Sequence, residues 1–297
     1  MSQIKQPRIV GVLGMGAMGS GVAADLKNSG FDVVTALEGR SGRSRERAEA
    51  AGVRVLASLA EVIAVADTFL SIVPSDQAEP LADAVAAALT SRKANEPLHY
   101  VDCNSITPSK TGRVAARVTA VGAHFSDGGI IGPPPGGRMK TRLYVSGPAS
   151  AALTALQSDH MPVIRLGDGS SQATEMKVLF AAANKGATAL LANVLAAAKQ
   201  VGLLDRVVGE IDGARPGLLQ CLRSSAPDLD DKAARWAIEM EDLAAGLAEM
   251  GCHPGYHQAA AESYRQLAAN LTTTPTGTDP LARVLTAWAK PVRRVEK

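Results

Sequence analysis

Short apolar, β-branched runs alternate with amphipathic or alanine-rich segments through the first half of the chain, the pattern of repeated strand–helix–strand units. It predicts strands at Arg8–Leu13, Asp32–Leu37, Val53–Leu56, Thr68–Val73, His99–Asp102, His124–Asp127, Arg142–Ser146 and Val163–Leu166. Helices are predicted between them at Ala17–Asn28, Ser44–Ala51, Asp76–Leu89, Pro108–Thr119 and Ala149–Gln157. The first strand, Ile9-Val10-Gly11-Val12-Leu13, carries no polar side chain, as a strand covered on both faces of a parallel sheet requires.

After Gly167-Asp168-Gly169 the alternation stops and the remainder reads as helix. Ser171 to about Val201 forms one long candidate, buried over much of its circumference given its alanine and leucine content. Further helices are predicted at Pro216–Arg223, Asp230–Met250, Pro254–Ala269 and Pro280–Ala289, the last capped by Asp279. Gly209, Gly213, Pro227, Gly251, Pro254 and the run Thr272–Thr278 read as breakers. The expected organisation is an α/β domain over residues 1–167 and an all-α domain over residues 168–297, joined by the long helix. Arg293, Arg294 and Lys297 read as a basic, frayed end.

The length of 297 residues suits two modest domains. Hydrophobic residues at 46% and charged residues at 20% fit a packed core rather than disorder. With Lys+Arg 31 against Asp+Glu 29, there is no broad positive field for nucleic acid or an anionic membrane. Aromatics at 3% argue against base-stacking surfaces. Cys103, Cys221 and Cys252 are scattered without metal or disulfide spacing, which fits a reducing compartment. Charges within Ala173–Ala198 (Glu175, Lys177, Lys185) argue against a simple membrane span, and the polar Met1–Arg8 lacks a signal layout. A cytoplasmic protein is expected.

Chemistry first shows at Gly14-Met15-Gly16-Ala17-Met18-Gly19, which follows the first strand and opens the first helix. In that setting the first glycine permits a tight turn and the second lets backbone N–H groups approach a pyrophosphate. The third permits close helix–strand packing, and the helix N-terminus adds partial positive charge. The fold expected is therefore a Rossmann-type doubly wound sheet binding a dinucleotide. At the end of the second strand, Glu38 suits the ribose diol of NAD, while Arg40, Ser41 and Arg43 suit the 2′-phosphate of NADP. The same arginines, next to Glu46 and Glu49, also read as a solvated helix start. The flexible basic loop after the acid favours NADP, with NAD as the alternative.

The Met-Gly ending of Gly14–Gly19 resembles the β-hydroxyacid dehydrogenases, relatives of 6-phosphogluconate dehydrogenase and of imine reductases. Val73-Pro74-Ser75-Asp76 is similar to that family's cofactor-lining loop, and Asp102-Cys103-Asn104-Ser105-Ile106-Thr107-Pro108 to its Asp-x-Ser-Thr-x-x-Pro segment near the nicotinamide. Asp127-Gly128-Gly129-Ile130-Ile131-Gly132 matches its Ser-Gly-Gly-x-x-Gly substrate loop except at the first residue. Lys177 stands where the family keeps a catalytic lysine. Trp236–Glu241 and His253-Pro254-Gly255-Tyr256-His257 look like a subgroup with its own helical C-terminal domain. The resemblance implies a homodimer with apolar helices of the second domain at its interface.

Hydride transfer to a carbonyl leaves negative charge on oxygen, so a proton donor must stand beside it. The resemblance gives that role to Lys177, and the apolar flank Met176-Val178-Leu179-Phe180 favours its burial. The competing reading is an exposed lysine paired with Glu175 or Asp168. Asn184, two turns on from Lys177, is a candidate substrate contact, although the family's asparagine position is Ala181 here. Asn104 and Ser105 follow a strand end, where ligands collect, and Ser105 with Thr107-Pro108 also reads as a helix cap.

Asp127 departs most from the family pattern. With Gly128 and Gly129 it is placed in the substrate loop, yet it would repel a carboxylate. That leaves two outcomes: Asp127 turns away, or the substrate is a polyol, an imine or a neutral ketone. His253 and His257 straddle a helix start and lack a third ligand, so no metal is expected; His257 is a candidate lining residue of the substrate pocket. The reading reached is an NAD(P)-dependent oxidoreductase on a small alcohol/carbonyl substrate of hydroxy acid or polyol type, with Lys177 as general acid–base. The alternatives are an imine reductase and a nucleotide-binding protein without turnover.

Overall fold

The computed structural model describes residues 9–94, 96–137, 139–277 and 279–289. Arg8, expected to open the first strand, and the basic end Arg293, Arg294 and Lys297 lie outside them. The chain divides into two compact units, Met1–Lys177 and Val178–Lys297.

The first unit begins β1 (Ile9–Leu13), α1 (Ala17–Asn28), β2 (Asp32–Ala36), α2 (Gly42–Ala50), β3 (Arg54–Leu56), α3 (Leu59–Val65) and β4 (Thr68–Ser71). It continues with α4 (Ala78–Leu89), β5 (His99–Asp102), α5 (Pro108–Thr119), β6 (His124–Ile131), β7 (Arg142–Ser146) and β8 (Val163–Gly167). Its eight-stranded sheet runs β3-β2-β1-β4-β5-β6-β7-β8, parallel throughout except for the antiparallel β6–β7 pair. The strand order reverses between β1 and β4, the switch point where open α/β sheets bind ligands. Apolar cores cover both faces: Val10, Val12 and Leu26 lie in one, Val34, Phe69 and Tyr100 in the other.

Three local expectations are corrected. β6 does not end at Asp127 but runs to Ile131, because Gly128 and Gly129 stay in the antiparallel ladder opposite Val145 and Tyr144. The segment Ala149–Gln157 forms a 3₁₀ turn at Ser150–Leu156 instead of an α-helix. α3, a seven-residue helix capped by Ser58, was not anticipated.

The long helix α6 (Gln172–Gln200) starts in the first unit and continues into the second. The units divide inside it, after Lys177, because its first turns bond to β6 and β7 through Ala173 and Thr174. By length and composition α6 is apolar enough to cross a membrane, so its charges do not by themselves argue against a span. Within the second unit it is followed by α7 (Leu204–Ala214), α8 (Gln220–Ser225), α9 (Leu229–Glu249), α10 (Gly255–Leu271) and α11 (Pro280–Trp288). α7 overturns the reading of Gly209 and Gly213 as breakers, since both lie inside it. Leu229, Met240, Tyr264 and Val284 pack together there, with Tyr264 edge-on to Trp236 and Trp288. Asp279 caps α11 as expected, accepting from the backbone N–H of Leu281 at 2.9 Å.

Candidate functional site

Register places the ends of four parallel strands in one row: Leu13 beside Ser71, Ser71 beside Asp102, and Asp102 beside Asp127. Three interstrand steps separate the first from the last, about 14 Å in all. The segments leaving this row carry the glycine turn, Val73-Pro74, Cys103-Asn104 and Gly128-Gly129, so the sheet assembles the scattered motifs along one edge.

The three glycines of the turn act differently. Gly14 adopts φ +105°, and a Cβ there would overlap the carbonyl of Ile72. A Cβ on Gly19 would overlap the carbonyl of Gly14, so this glycine lets α1 lie against the turn. A Cβ on Gly16 would meet nothing within 4 Å. Gly16 and Ala17 are exposed at the start of α1, which has no side-chain cap and no acid in its first turn. Its first N–H groups are thus open to an external acceptor, as a bound pyrophosphate requires. Met15 is 1% exposed and belongs to the core, leaving only its backbone for a ligand; Met18 packs against that core from a half-buried position.

A cavity of about 210 Å³ opens beside the turn, lined by Leu13, Glu38, Arg40, Leu59, Val73 and Gln77 among others. It thus holds both the acid and the nearest base of the nucleotide-selecting loop. Ser41 Oγ accepts from the N–H of Ser44 at 3.3 Å and so caps α2, while Arg43 is exposed. The cavity residues Leu59, Gln77, Pro80, Leu81 and Ala84 escaped sequence reasoning, since no motif marks them.

Asn104, expected to contact the cofactor, is 2% exposed and its side chain is engaged internally. Its Oδ1 accepts from the N–H of Val73 at 2.7 Å, and its Nδ2 donates to Ser71 Oγ at 2.8 Å. It therefore braces the Val73-Pro74 segment against β5. Ser105 stays exposed, because Thr107 is the residue that caps α5.

Lys177, on the second turn of α6, is half-buried. Its ammonium donates to the carbonyls of Cys103 and Asn104, each at 3.3 Å, just past the end of β5. Asp168 pairs with Arg165, and Glu175 accepts from Ser171 Oγ at 2.8 Å. The helix can come this close because Gly129 faces it: a Cβ there would meet the Ala173 carbonyl at 2.5 Å and Lys177 Cβ at 3.5 Å.

Asp127 turns away from any ligand, correcting its placement among the substrate contacts. It is 0% exposed. Its Oδ2 accepts from the Thr174 N–H at 2.7 Å and from Ser146 Oγ at 3.3 Å, and its Oδ1 accepts from Thr174 Oγ1 at 2.6 Å. Ser146 Oγ in turn accepts from the Ala173 N–H at 3.1 Å. The sheet thereby supplies a cap to the first turn of α6, three residues before Lys177. Gly128 and Gly129 are ladder residues whose missing side chains make room for Cys103 Sγ and α6 respectively. Ser146 and Thr174 were missed because neither carries a signal without the strand register.

Burial pushes the Asp127 carboxyl up to about 6, against the pull of the Thr174 and Ser146 hydrogen bonds. Burial likewise raises Asp102 to about 7, opposed by the N–H of Asn104. Both folded values lie above those of the unfolded chain, so the native state holds protons that the unfolded state releases. Stability is therefore fullest below about pH 4 for these groups and falls as pH rises through 6 to 7. Asp127→Asn keeps an acceptor for the Thr174 N–H, and its loss of stability between pH 4.5 and 7.5 in urea unfolding is expected to be smaller than wild type's by on the order of 2 kcal/mol. An identical fall in both proteins would contradict this assignment.

In the second unit, Asn184 is exposed on α6. His257 Nε2 lies 3.2 Å from the Ala182 carbonyl and its Nδ1 is enclosed, which makes it a link between α10 and α6. His253 Nδ1 accepts from the Gly255 N–H at 3.1 Å, at the start of α10. Among the described residues no group of three or more His, Cys, Asp or Glu is placed to hold a metal.

Comparison with known proteins agrees with this geometry. Residues 9–158 match the family described as the NAD binding domain of 6-phosphogluconate dehydrogenase, and residues 198–267 match a domain of unknown function. The chain is 24% identical over 154 residues to the mitochondrial 3-hydroxyisobutyrate dehydrogenase of Drosophila melanogaster, a match covering 50% of this chain and 44% of that enzyme. The structure of MTH1747, a conserved protein described as similar to 3-hydroxyacid dehydrogenases, is 26% identical with a TM-score of 0.69, covering 86% of this chain and 96% of that one. Mycobacterium tuberculosis 3-hydroxyisobutyrate dehydrogenase, solved with L-serine, shares the fold at 19% identity and a TM-score of 0.72, covering 94% and 98% of the two chains.

Proposed function

Because the chain belongs to the family of the NAD binding domain of 6-phosphogluconate dehydrogenase, we propose that it is an NAD(P)-dependent oxidoreductase acting on a small alcohol/carbonyl pair of hydroxy acid or polyol type. The observation that carries this reading is the Lys177 ammonium, held by two carbonyls at the ligand-binding edge of the sheet. When bound, the nicotinamide supplies or receives the hydride. The open turn at Gly16 and the start of α1 hold the pyrophosphate, and the cavity at Glu38 and Arg40 takes the adenosine end. Lys177 gives a proton to the substrate oxygen in reduction and takes one from the hydroxyl in oxidation. Cys103 and Asn104 orient its ammonium, and Asp127 fixes the helix turn that carries it.

Arg40 in the cavity wall, with Ser41 and Arg43 at the start of α2, supports NADP as the preferred nucleotide. Calorimetric titration is expected to show NADPH binding at least about tenfold more tightly than NADH. Tighter NADH binding would reverse the preference, equal binding would remove it, and binding of neither would overturn the whole reading. A panel of hydroxy acids, polyols and cyclic imines then separates the dehydrogenase from an imine reductase; the presence of Lys177 supports the former. The homodimer implied by the family resemblance is supported by Phe180, Leu190 and Val194, exposed along α6. Nothing in the composition favours a nucleic acid partner, and a cytoplasmic location remains the reading from cysteine usage.

A further inference from the structure

The antiparallel register pairs Asp127 with Ser146, Gly129 with Tyr144, and Ile131 with Arg142. Residues two apart on a strand share a face, so Arg142 and Tyr144 project from the same face as Ser146, Gly129 and Asp127. That face is the one that meets α6, as the Asp127–Thr174 and Ser146–Ala173 bonds and the approach of Lys177 to Gly129 establish. Arg142 therefore lies one pair beyond the level of Lys177, roughly 7 Å along the strand, and two pairs, roughly 14 Å, from Asp127.

Arg142 is half-buried, and its Nε is enclosed without a hydrogen-bond partner. Among the described residues no carboxylate forms an ion pair with it. Two other enclosed arginines differ. Arg92 donates to the carbonyls of Ile63 and Ala66, and Arg283 donates to those of Leu271 and Thr274 and pairs with Asp230. A guanidinium whose Nε is enclosed and which no carboxylate of the described residues neutralises is stabilised by an anion from outside the chain. The planar fork of a guanidinium matches the two oxygens of a carboxylate.

We propose that Arg142 is the residue that receives the substrate's carboxylate. This rests on the reading of Lys177 as the proton donor at the same edge, and it answers the difficulty raised by Asp127. The carboxylate sits on the Arg142 side of the reacting carbon, while Asp127 is buried on the opposite side of Gly129. The substrate class is then a small hydroxy or oxo acid rather than a polyol, imine or neutral ketone.

The test is calorimetry of malonate, its neutral diamide and inorganic phosphate against NADPH-loaded wild type, Arg142→Met and Arg142→Lys. Malonate is expected to bind wild type, to weaken by about 10–100-fold in Arg142→Met, and to weaken by less in Arg142→Lys, which keeps the charge but loses the fork. The diamide is expected to bind none of them. NADPH affinity within about threefold of wild type shows that a variant is folded, and Arg142→Lys alone decides the matter if the methionine variant does not fold. Three results would overturn the proposal: no malonate binding to wild type, malonate affinity unchanged in the variants, or an Arg142-dependent preference for phosphate. Because the readout is binding, Arg142-dependent capture of malonate by a protein that turns over no substrate would refute the oxidoreductase reading while supporting the anion site.

Discussion

Lys177→Ala is expected to lower turnover by about 10²–10⁴-fold while leaving nucleotide affinity within about threefold, the loss typical of removing a positioned general acid–base. The split follows from where the residue stands. The nucleotide-holding groups are the Gly14–Gly19 turn and the cavity at Arg40, whereas Lys177 is bound to the segment after β5, further along the row of strand ends. Lys177→Arg keeps a cation but holds its proton too tightly to exchange it, so its turnover should stay close to that of the alanine variant. Turnover of Lys177→Ala within tenfold of wild type would remove the residue from the chemistry.

Gly19→Ala and Gly16→Ala are expected to fail in opposite ways. A methyl on Gly19 runs into the Gly14 carbonyl, a backbone atom of a turn that is itself pressed against Ile72. Relief requires α1 to move off the sheet, so the variant should lose about 3 kcal/mol, or roughly 6–12 °C in Tm by thermal unfolding, together with nucleotide binding. A methyl on Gly16 touches nothing in the protein. That variant should keep its Tm within about 2 °C and yet bind nucleotide at least about tenfold more weakly, because the methyl occupies the approach to the pyrophosphate. Unchanged nucleotide affinity in Gly16→Ala would mean that the turn is only a packing feature.

The contrast between those glycines shows what kind of information the sequence carried. Gly14–Gly19 was legible because a strand, a tight turn and a helix follow one another locally, although the contact that excludes a side chain at Gly14 comes from Ile72, after another strand. The first parallel strand was legible for the same reason: Ile9–Leu13 is an apolar run that needs cover on both faces. Asp127 was read as a strand end and placed in the substrate loop that the family resemblance implies. Its actual role depends on which β7 residue stands opposite and on which α6 N–H groups arrive there, and neither is encoded near it. Asn104 was assigned to the cofactor, whereas its amide is claimed by Ser71 Oγ of another strand and by the Val73 N–H just past that strand's end. Arg142 was read only as the first residue of a strand, since an arginine at a strand end is unremarkable until its face and its lack of a counter-ion are known. α7 was lost to Gly209 and Gly213, whose helix penalty is about 1 kcal/mol each and is outweighed by the packing of Leu204, Val207, Val208 and Ile211.

The account depends on hydride leaving a bound nicotinamide for a carbon held beside Lys177. The most direct measurement is mass spectrometry of the product formed from oxo acids in the presence of NADPH deuterated at the transferring C4 position. One deuterium is expected on the carbinol carbon of the product with wild type, and about 10²–10⁴-fold less labelled product at matched times with Lys177→Ala. A protein that binds NADPH yet delivers no deuterium to any carbonyl compound offered, or a Lys177→Ala variant that delivers it as fast as wild type, would contradict the account.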